Sequence, residues 1–173
     1  MPSKFASNPT IAALVQSTRA AETEYKQTQE KIDELLNPHD AVKRLHQLIG
    51  ESHDPAFIKA AQTQIAALSG PGAEDAKNRG RSIAFRAFEP VKAAANALLL
   101  KASEIAIESL NAAIEAEAEF FARHGLPYEK TSLSRNAENV LVEVARRRSA
   151  VNAVGQGYSI PRLSSGFLEF FTA

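Results

Sequence analysis

Cysteine is absent from this 173-residue sequence. The lack of cysteine excludes disulfides, thiol catalysis and every metal site with a cysteine ligand. Tryptophan is absent too, and Met1 is the only methionine. An excess of charge of one sign is also missing, since 20 Lys and Arg residues balance 20 Asp and Glu residues. This balance argues against an overall polybasic surface for nucleic acid or anionic lipid.

Long hydrophobic runs are missing as well. No apolar stretch approaches the ~18 residues that a membrane-spanning helix needs. The densest apolar spot, Leu98 to Leu100, ends at Lys101, and the first residues lack the apolar core of a secretory signal. We therefore expect a soluble, intracellular protein without membrane contact, located in the cytoplasm or within a virion or other assembly, and not secreted.

Alanine is abundant, at 31 of the 173 residues, and helix boundary signals recur along the chain. Alanine favours helices because it loses no side-chain entropy there. Asn8, Asn37 and Asp54 each precede a proline, which predicts an N-cap followed by proline at the first helical position. Gly50, Gly70 and Gly125 each follow a run of residues with helical apolar spacing, where a C-terminal cap with left-handed backbone angles is expected. These signals predict helices over 9–36, 38–49, 55–69, 73–88, 90–124 and 134–154.

The first predicted helix carries apolar or small residues at alternating spacings of three and four. This heptad pattern is typical of left-handed helix packing. Its middle, from Thr18 to Thr28, is less hydrophobic than its ends, which favours packing inside a bundle over a long isolated dimer. The positions are Ile11, Leu14, Thr18, Ala21, Tyr25, Thr28, Ile32 and Leu35.

The predicted helix over 90–124 is apolar on two opposite sides. One side carries Leu100, Ile107 and Leu110, and the other carries Val91, Leu98 and Ala102. Charged residues concentrate on a strip only about 60° wide, at 100° per residue. We therefore predict that neighbouring chains or helices cover both sides, that Ile107 and Leu110 are buried, and that Glu108 and Glu115 are exposed. The strip consists of Lys101, Glu104, Glu108, Glu115 and Glu119.

The predicted fold is all-α: an elongated bundle of about five to six helices with a long central helix and an irregular C-terminal arm. We divide the chain into a helical bundle over 1–154 and an extended arm over 155–173. The arm begins with glycine, serine and proline and ends in aromatic residues. Phe167, Leu168, Phe170 and Phe171 are predicted to bind a partner as an apolar anchor. The alternative is that they fold back and cap their own bundle.

Metal and catalytic chemistry find little support in the sequence. His39, His46 and His53 are seven residues apart, but Gly50 and Pro55 interrupt any common helix. No Glu-x-x-His pair of the kind that holds two metals in helical bundles is present. We therefore predict no metal and no cofactor, and assign no catalytic residue.

Two basic clusters could bind a polar ligand. Lys77, Arg79, Arg81 and Arg86 are interleaved with Phe85 and Phe88, a combination that could contact phosphates and stack on bases. The competing interpretation is an amphipathic helix with its phenylalanines packed inward and its arginines in water. The run from Arg146 to Arg148 cannot form one flat basic face, because consecutive helical residues point about 100° apart.

The sequence favours a non-enzymatic structural protein, a helical module that contacts other proteins in an oligomer or larger assembly, such as a virion or adaptor subunit. Its expected partners are proteins, either further copies of itself or other subunits. Nucleic-acid binding through 77–86 and Arg146 to Arg148 is the first alternative. An enzyme with an unidentified site in a helical bundle is the second.

Overall fold

The computed structural model describes residues 5–157 and 159–172, and within them it contains seven helices and no strand. The all-α prediction is confirmed. No helix among these residues combines the length and apolar character needed to cross a membrane. The helices are α1 (Pro9–Lys31), α2 (Asp33–Leu36), α3 (Pro38–Glu51), α4 (Pro55–Leu68), α5 (Pro71–Arg123), α6 (Ser132–Ala153) and α7 (Glu169–Thr172).

The chain divides into two compact units. Unit 1 comprises residues 1–21, 90–156 and 162–173, and unit 2 comprises 22–89 and 157–161. The helix before the predicted boundary does end there, at Ala153. The residues after it are divided between the two units. Residues 1–4, 158 and 173, which the predicted ranges include, lie outside the described part of the chain.

Unit 1 is built around a core shared by α1, α5, α6 and the C-terminal segment. Its buried residues come from sites far apart in sequence, so burial of apolar surface holds these segments together. They are Phe5, Ile11, Val15, Ala95, Leu98, Leu99, Ala102, Val144, Val151, Phe167 and Phe171.

Unit 2 contains a smaller core in which α3 and α4 pack against each other. The Glu34 carboxylate joins them at the surface, because it accepts hydrogen bonds from Arg44 on α3 at 3.1 Å and from Gln64 on α4 at 2.6 Å. Gly80 allows α5 to approach α2 closely, since a Cβ atom there would lie 3.0 Å from Leu35 Cβ. This contact explains a glycine in the middle of a helix, where it otherwise costs stability.

The predicted helix caps are confirmed at most positions. The Asn8 side chain accepts hydrogen bonds from the backbone N–H groups of Thr10 and Ile11, and Asp54 accepts one from Ala56. Gly70 and Gly125 adopt left-handed backbone conformations, with φ of 55° and 62°. The two failures are Asn37 and Gly50. The Asn37 side chain instead donates to Asp33, and Gly50 lies within α3, which continues to Glu51.

The helices predicted over 73–88 and 90–124 are one continuous helix, α5, with Pro90 inside it. Proline removes one backbone hydrogen bond and disfavours helical conformation in the preceding residue. Burial fixes the helix on both sides of the proline: Phe88 is 3% exposed and Val91 is fully buried. Tertiary packing of these turns outweighs the local preference for a break.

Within the described chain, the two apolar sides of α5 differ in how far they are covered. The side carrying Val91, Leu98 and Ala102 is buried. On the other side Ile107 is 47% exposed, which contradicts its predicted burial, and Leu110 is half-buried. Glu108 and Glu115 are exposed as predicted. The sequence pattern identified both apolar sides but could not show that the described residues bury only one of them.

The heptad positions predicted on the first helix all face inward to some degree. Ile11, Thr18, Tyr25 and Ile32 are buried, and the intervening positions are half-buried. The helix is shorter than predicted, because α1 ends at Lys31 and the single turn of α2 follows after a break at Ile32.

Candidate functional site

The predicted C-terminal anchor lies in the core of unit 1. Phe171 is fully buried and Phe167 is 3% exposed, while Leu168 and Phe170 are half-buried. The Phe5 ring lies 5.7 Å from that of Phe171 and 5.6 Å from that of Phe170, measured between centroids. This is the arrangement in which the segment folds back onto its own helices. To bind another chain, the anchor would have to leave this core.

Arg147 on α6 holds this segment in place. Its guanidinium lies 4.3 Å from the centre of the Phe170 ring, within the range of a cation–π interaction. It also donates a hydrogen bond of 3.4 Å to the carbonyl of Gly166. Its Nε lies 2.9 Å from Glu143 Oε1, a charge contact that lacks hydrogen-bond geometry. Arg147 thus connects α6 to the C-terminal segment.

The other two arginines of the run point elsewhere. Arg146 is largely exposed and donates two hydrogen bonds of 2.8 Å to Glu143, and Arg148 is exposed. The pKa of the Glu143 carboxyl is lowered, mainly because Arg146 donates to it and Arg147 adds its charge. The three arginines therefore do not form one basic face.

Tyr25 contacts Pro161, a residue of the C-terminal segment that belongs to unit 2. Its buried hydroxyl donates to the carbonyl of Pro161 at 2.6 Å and accepts from the side chain of Gln29 at 3.1 Å. Its ring packs edge-on against Phe88, with 5.2 Å between centroids. Burial raises the pKa of Tyr25 to about 12. This position of the heptad pattern is therefore a point of attachment for Pro161.

Glu117 on α5 accepts more of the described hydrogen bonds than any other carboxylate. Its role was not predicted from the sequence. It is only 4% exposed. Its Oε1 accepts from the backbone N–H groups of Thr131 and Ser134, at 3.1 and 2.9 Å, and from the Thr131 hydroxyl. Its Oε2 accepts from the Tyr128 hydroxyl at 3.1 Å. The carboxylate therefore caps the beginning of α6 from a different helix.

The charge of Glu117 is stabilised by these donors. Burial acts to raise its pKa, but the hydrogen bonds from Thr131, Ser134 and Tyr128 together lower the pKa to about 2. Burial and the bond to Glu117 raise the pKa of Tyr128 in turn. A signal for this role was present in the sequence, since Glu117 is the one charged residue between Lys101 and Glu119 that lies off the charged strip.

The basic segment predicted for the nucleic-acid alternative is partly engaged within the chain. Phe88 is buried, so its ring is not available for stacking on a base. Arg81 lies 3.7 Å from Glu74, and Arg86 donates to the Ser82 hydroxyl at 3.2 Å. Arg79 is exposed and Lys77 is half-buried. The described geometry corresponds more closely to an amphipathic helix than to a stacking platform.

A groove of about 450 Å³ in unit 2 includes His39 among its lining residues. The groove is open, and its lining combines apolar residues with charged ones. His39, His46 and His53 are all exposed. In the part of the chain that the structure describes, no three His, Asp or Glu side chains form a group that could hold a metal ion. The charged lining residues of the groove are Asp40, Glu74 and Lys77.

One side of α5 carries exposed apolar side chains. Leu100 is 52% exposed and Ile107 is 47% exposed. The half-buried side chains of Ser103, Leu110 and Ile114 continue the same row at spacings of three and four. We call these five residues the α5 row. Their spacing is that of a helix-packing seam, although no segment of the described chain covers it fully.

Comparison with known proteins adds no relative to these observations. No protein family model matches the sequence, no curated protein matches it, and no solved structure matches the fold.

Proposed function

We propose that this chain is a non-enzymatic structural protein, a helical module that binds other proteins within an oligomer or a larger assembly. The observation that carries the proposal is the exposure of the α5 row. A single exposed leucine on a protein surface is ordinary. A row of mainly apolar residues at seam spacing on one long helix supports a role in packing against another helix.

The α5 row supports this role better than the C-terminal aromatic segment does. Phe167 and Phe171 already stabilise the chain's own core, whereas Leu100 and Ile107 are half in water. Binding a partner at the row would bury further apolar surface at about 25 cal/mol per Å² without first undoing an internal contact. Use of the C-terminal anchor would begin with the loss of a packed core.

The proposal is tested by measuring the mass of the chain in solution and in native extract by sedimentation. We expect the native chain to sediment in a complex larger than one copy. The substitution Ile107→Ser should reduce the amount of that complex. Val142→Ser is the matched control, because Val142 is 62% exposed on α6 but has no large exposed apolar residue three or four positions away. A native chain that sediments as a single copy contradicts the proposed function.

A salt titration separates this function from nucleic-acid binding. A protein that binds phosphates loses affinity steeply as salt rises, because it releases condensed counterions. We expect no such salt-dependent gel shift with duplex or single-stranded oligonucleotides. A shift that weakens with salt and disappears in the double variant Arg79→Ala/Arg86→Ala would favour the nucleic-acid alternative instead.

A further inference from the structure

The α5 row is bordered on one side by glutamates. Taking Ile107 as the reference and 100° per residue, Glu104, Glu115 and Glu108 lie at about 60°, 80° and 100° around the helix. All three carboxylates are exposed. Lys101 is the one cation on this border, and its Nζ lies 2.8 Å from Glu104 Oε2. The border therefore keeps a net negative charge.

The opposite border is closed by the chain itself. Ala106 and Ala113, at about −100° and −120° on the same scale, are buried. Glu117 also lies on this side and is occupied in capping α6. Among residues 100–119 of α5, the charged side chains that are not buried therefore all lie on the glutamate side of the row.

This asymmetry disfavours a second copy as the occupant. In an antiparallel pair related by a twofold axis, the same border of each helix faces its counterpart, so the glutamates of both copies would face one another. In a parallel pair, the glutamate border would face the border that is already packed. Like charges placed opposite one another across an interface are unfavourable, which disfavours the antiparallel pair.

We propose that the α5 row binds an amphipathic helix whose apolar seam is bordered by Lys or Arg residues. This inference rests on the proposed function and specifies its partner. The row from Leu100 to Ile114 spans about 21 Å, which matches a partner helix of about four turns. Apolar burial supplies the affinity. The exposed glutamates select a basic partner and set its orientation, since exposed ion pairs individually add little stability.

The test uses the full chain and three synthetic helical peptides of about 18 residues each. The first has a leucine seam bordered by lysines, the second has the same seam bordered by glutamates, and the third keeps the lysines but replaces the leucines with serine. Fluorescence anisotropy measures the dissociation constants. We expect the first peptide to bind about tenfold or more tightly than either of the others.

Variants of the chain locate the site. Ile107→Ser should weaken binding of the first peptide to the chain, and Val142→Ser should leave that binding unchanged. The double variant Glu104→Lys/Glu108→Lys should shift the preference toward the glutamate-bordered peptide. The inference is overturned if the three peptides bind alike, if none binds, or if the α5 variants have no more effect than Val142→Ser. A native chain that still sediments in a larger complex would then leave the proposed function standing without this partner.

Discussion

The carboxylate of Glu117 accepts a hydrogen bond of 2.9 Å from the backbone N–H of Ser134, 17 residues later in the chain. The first N–H groups of a helix have no partner within that helix, and a negative charge at this end is favourable. Thr131, the N-cap residue, accepts from the N–H of Leu133 and donates its own hydroxyl to Glu117. The connection between α5 and α6 is therefore fixed by one carboxylate.

Replacing this carboxylate should lower stability. We expect Glu117→Gln to reduce the Tm by several degrees, because the amide accepts fewer of the hydrogen bonds and carries no charge. Glu115→Gln is the control, since Glu115 is exposed on the same helix, and its Tm should be unchanged. Thermal unfolding followed by circular dichroism measures both, and equal Tm values would show that the cap contributes nothing.

The same residue should contribute to the pH dependence of stability. The pKa of Glu117 is about 2 in the folded chain, below its ordinary value of 4.5. Its charge therefore stabilises the fold fully above pH 4.5, and this contribution is lost as the pH falls toward 2. We expect the difference in unfolding free energy between the wild type and Glu117→Gln to shrink over this interval, as measured by urea titrations. A difference that stays constant with pH would contradict the assignment.

The C-terminal segment should stabilise the chain on its own, without a partner. Phe171→Ala should cost about 3–5 kcal/mol, because it leaves a cavity in the core. Phe120→Ala is the control, since Phe120 is 54% exposed, and it should cost less than about 1 kcal/mol. Urea unfolding of the purified chain gives both values. Equal costs would mean that the segment does not dock in the core.

The contact of Arg147 with Phe170 should require the planar guanidinium. We expect Arg147→Lys to cost about 1–2 kcal/mol, because lysine loses the stacking and the hydrogen bond to Gly166. Arg148→Lys should have no effect, since Arg148 is exposed. Hydrogen exchange over residues 166–172 provides the readout, and faster exchange is expected only in the first variant.

Two glycines should respond in opposite directions to alanine. Gly50 lies within α3 with no atom within 4 Å of an added Cβ, so Gly50→Ala should stabilise the chain by up to about 1 kcal/mol. Gly70 has a φ of 55°, which an L-residue adopts only with strain, so Gly70→Ala should destabilise it. Thermal melting curves of the two variants and the wild type measure these changes in stability. A destabilising Gly50→Ala would contradict the helical assignment of that position.

Much of the fold could be predicted because helix formation leaves local signals. Asn8, Asp54, Gly70 and Gly125 mark helix ends through the hydrogen bonds and backbone angles that those ends require. The same logic failed at Pro90, where a local signal for a new helix was outweighed by the burial of Phe88 and Val91. Local preference is only a small part of the free energy of a packed helix.

The candidate site was predictable in part, since the sequence placed the α5 row and its glutamate border on one helix. What the sequence alone determined was the all-α class and which residues share a helix face, because the helical period of 3.6 residues fixes both. Only the tertiary structure decided which faces are covered and which distant groups meet. The burial of Phe171, the exposure of Ile107 and the bond from Ser134 to Glu117 are examples. Each depends on segments far apart in the chain. A local pattern can single out a residue, as the position of Glu117 off the charged strip does, but it does not identify the distant group that the residue meets.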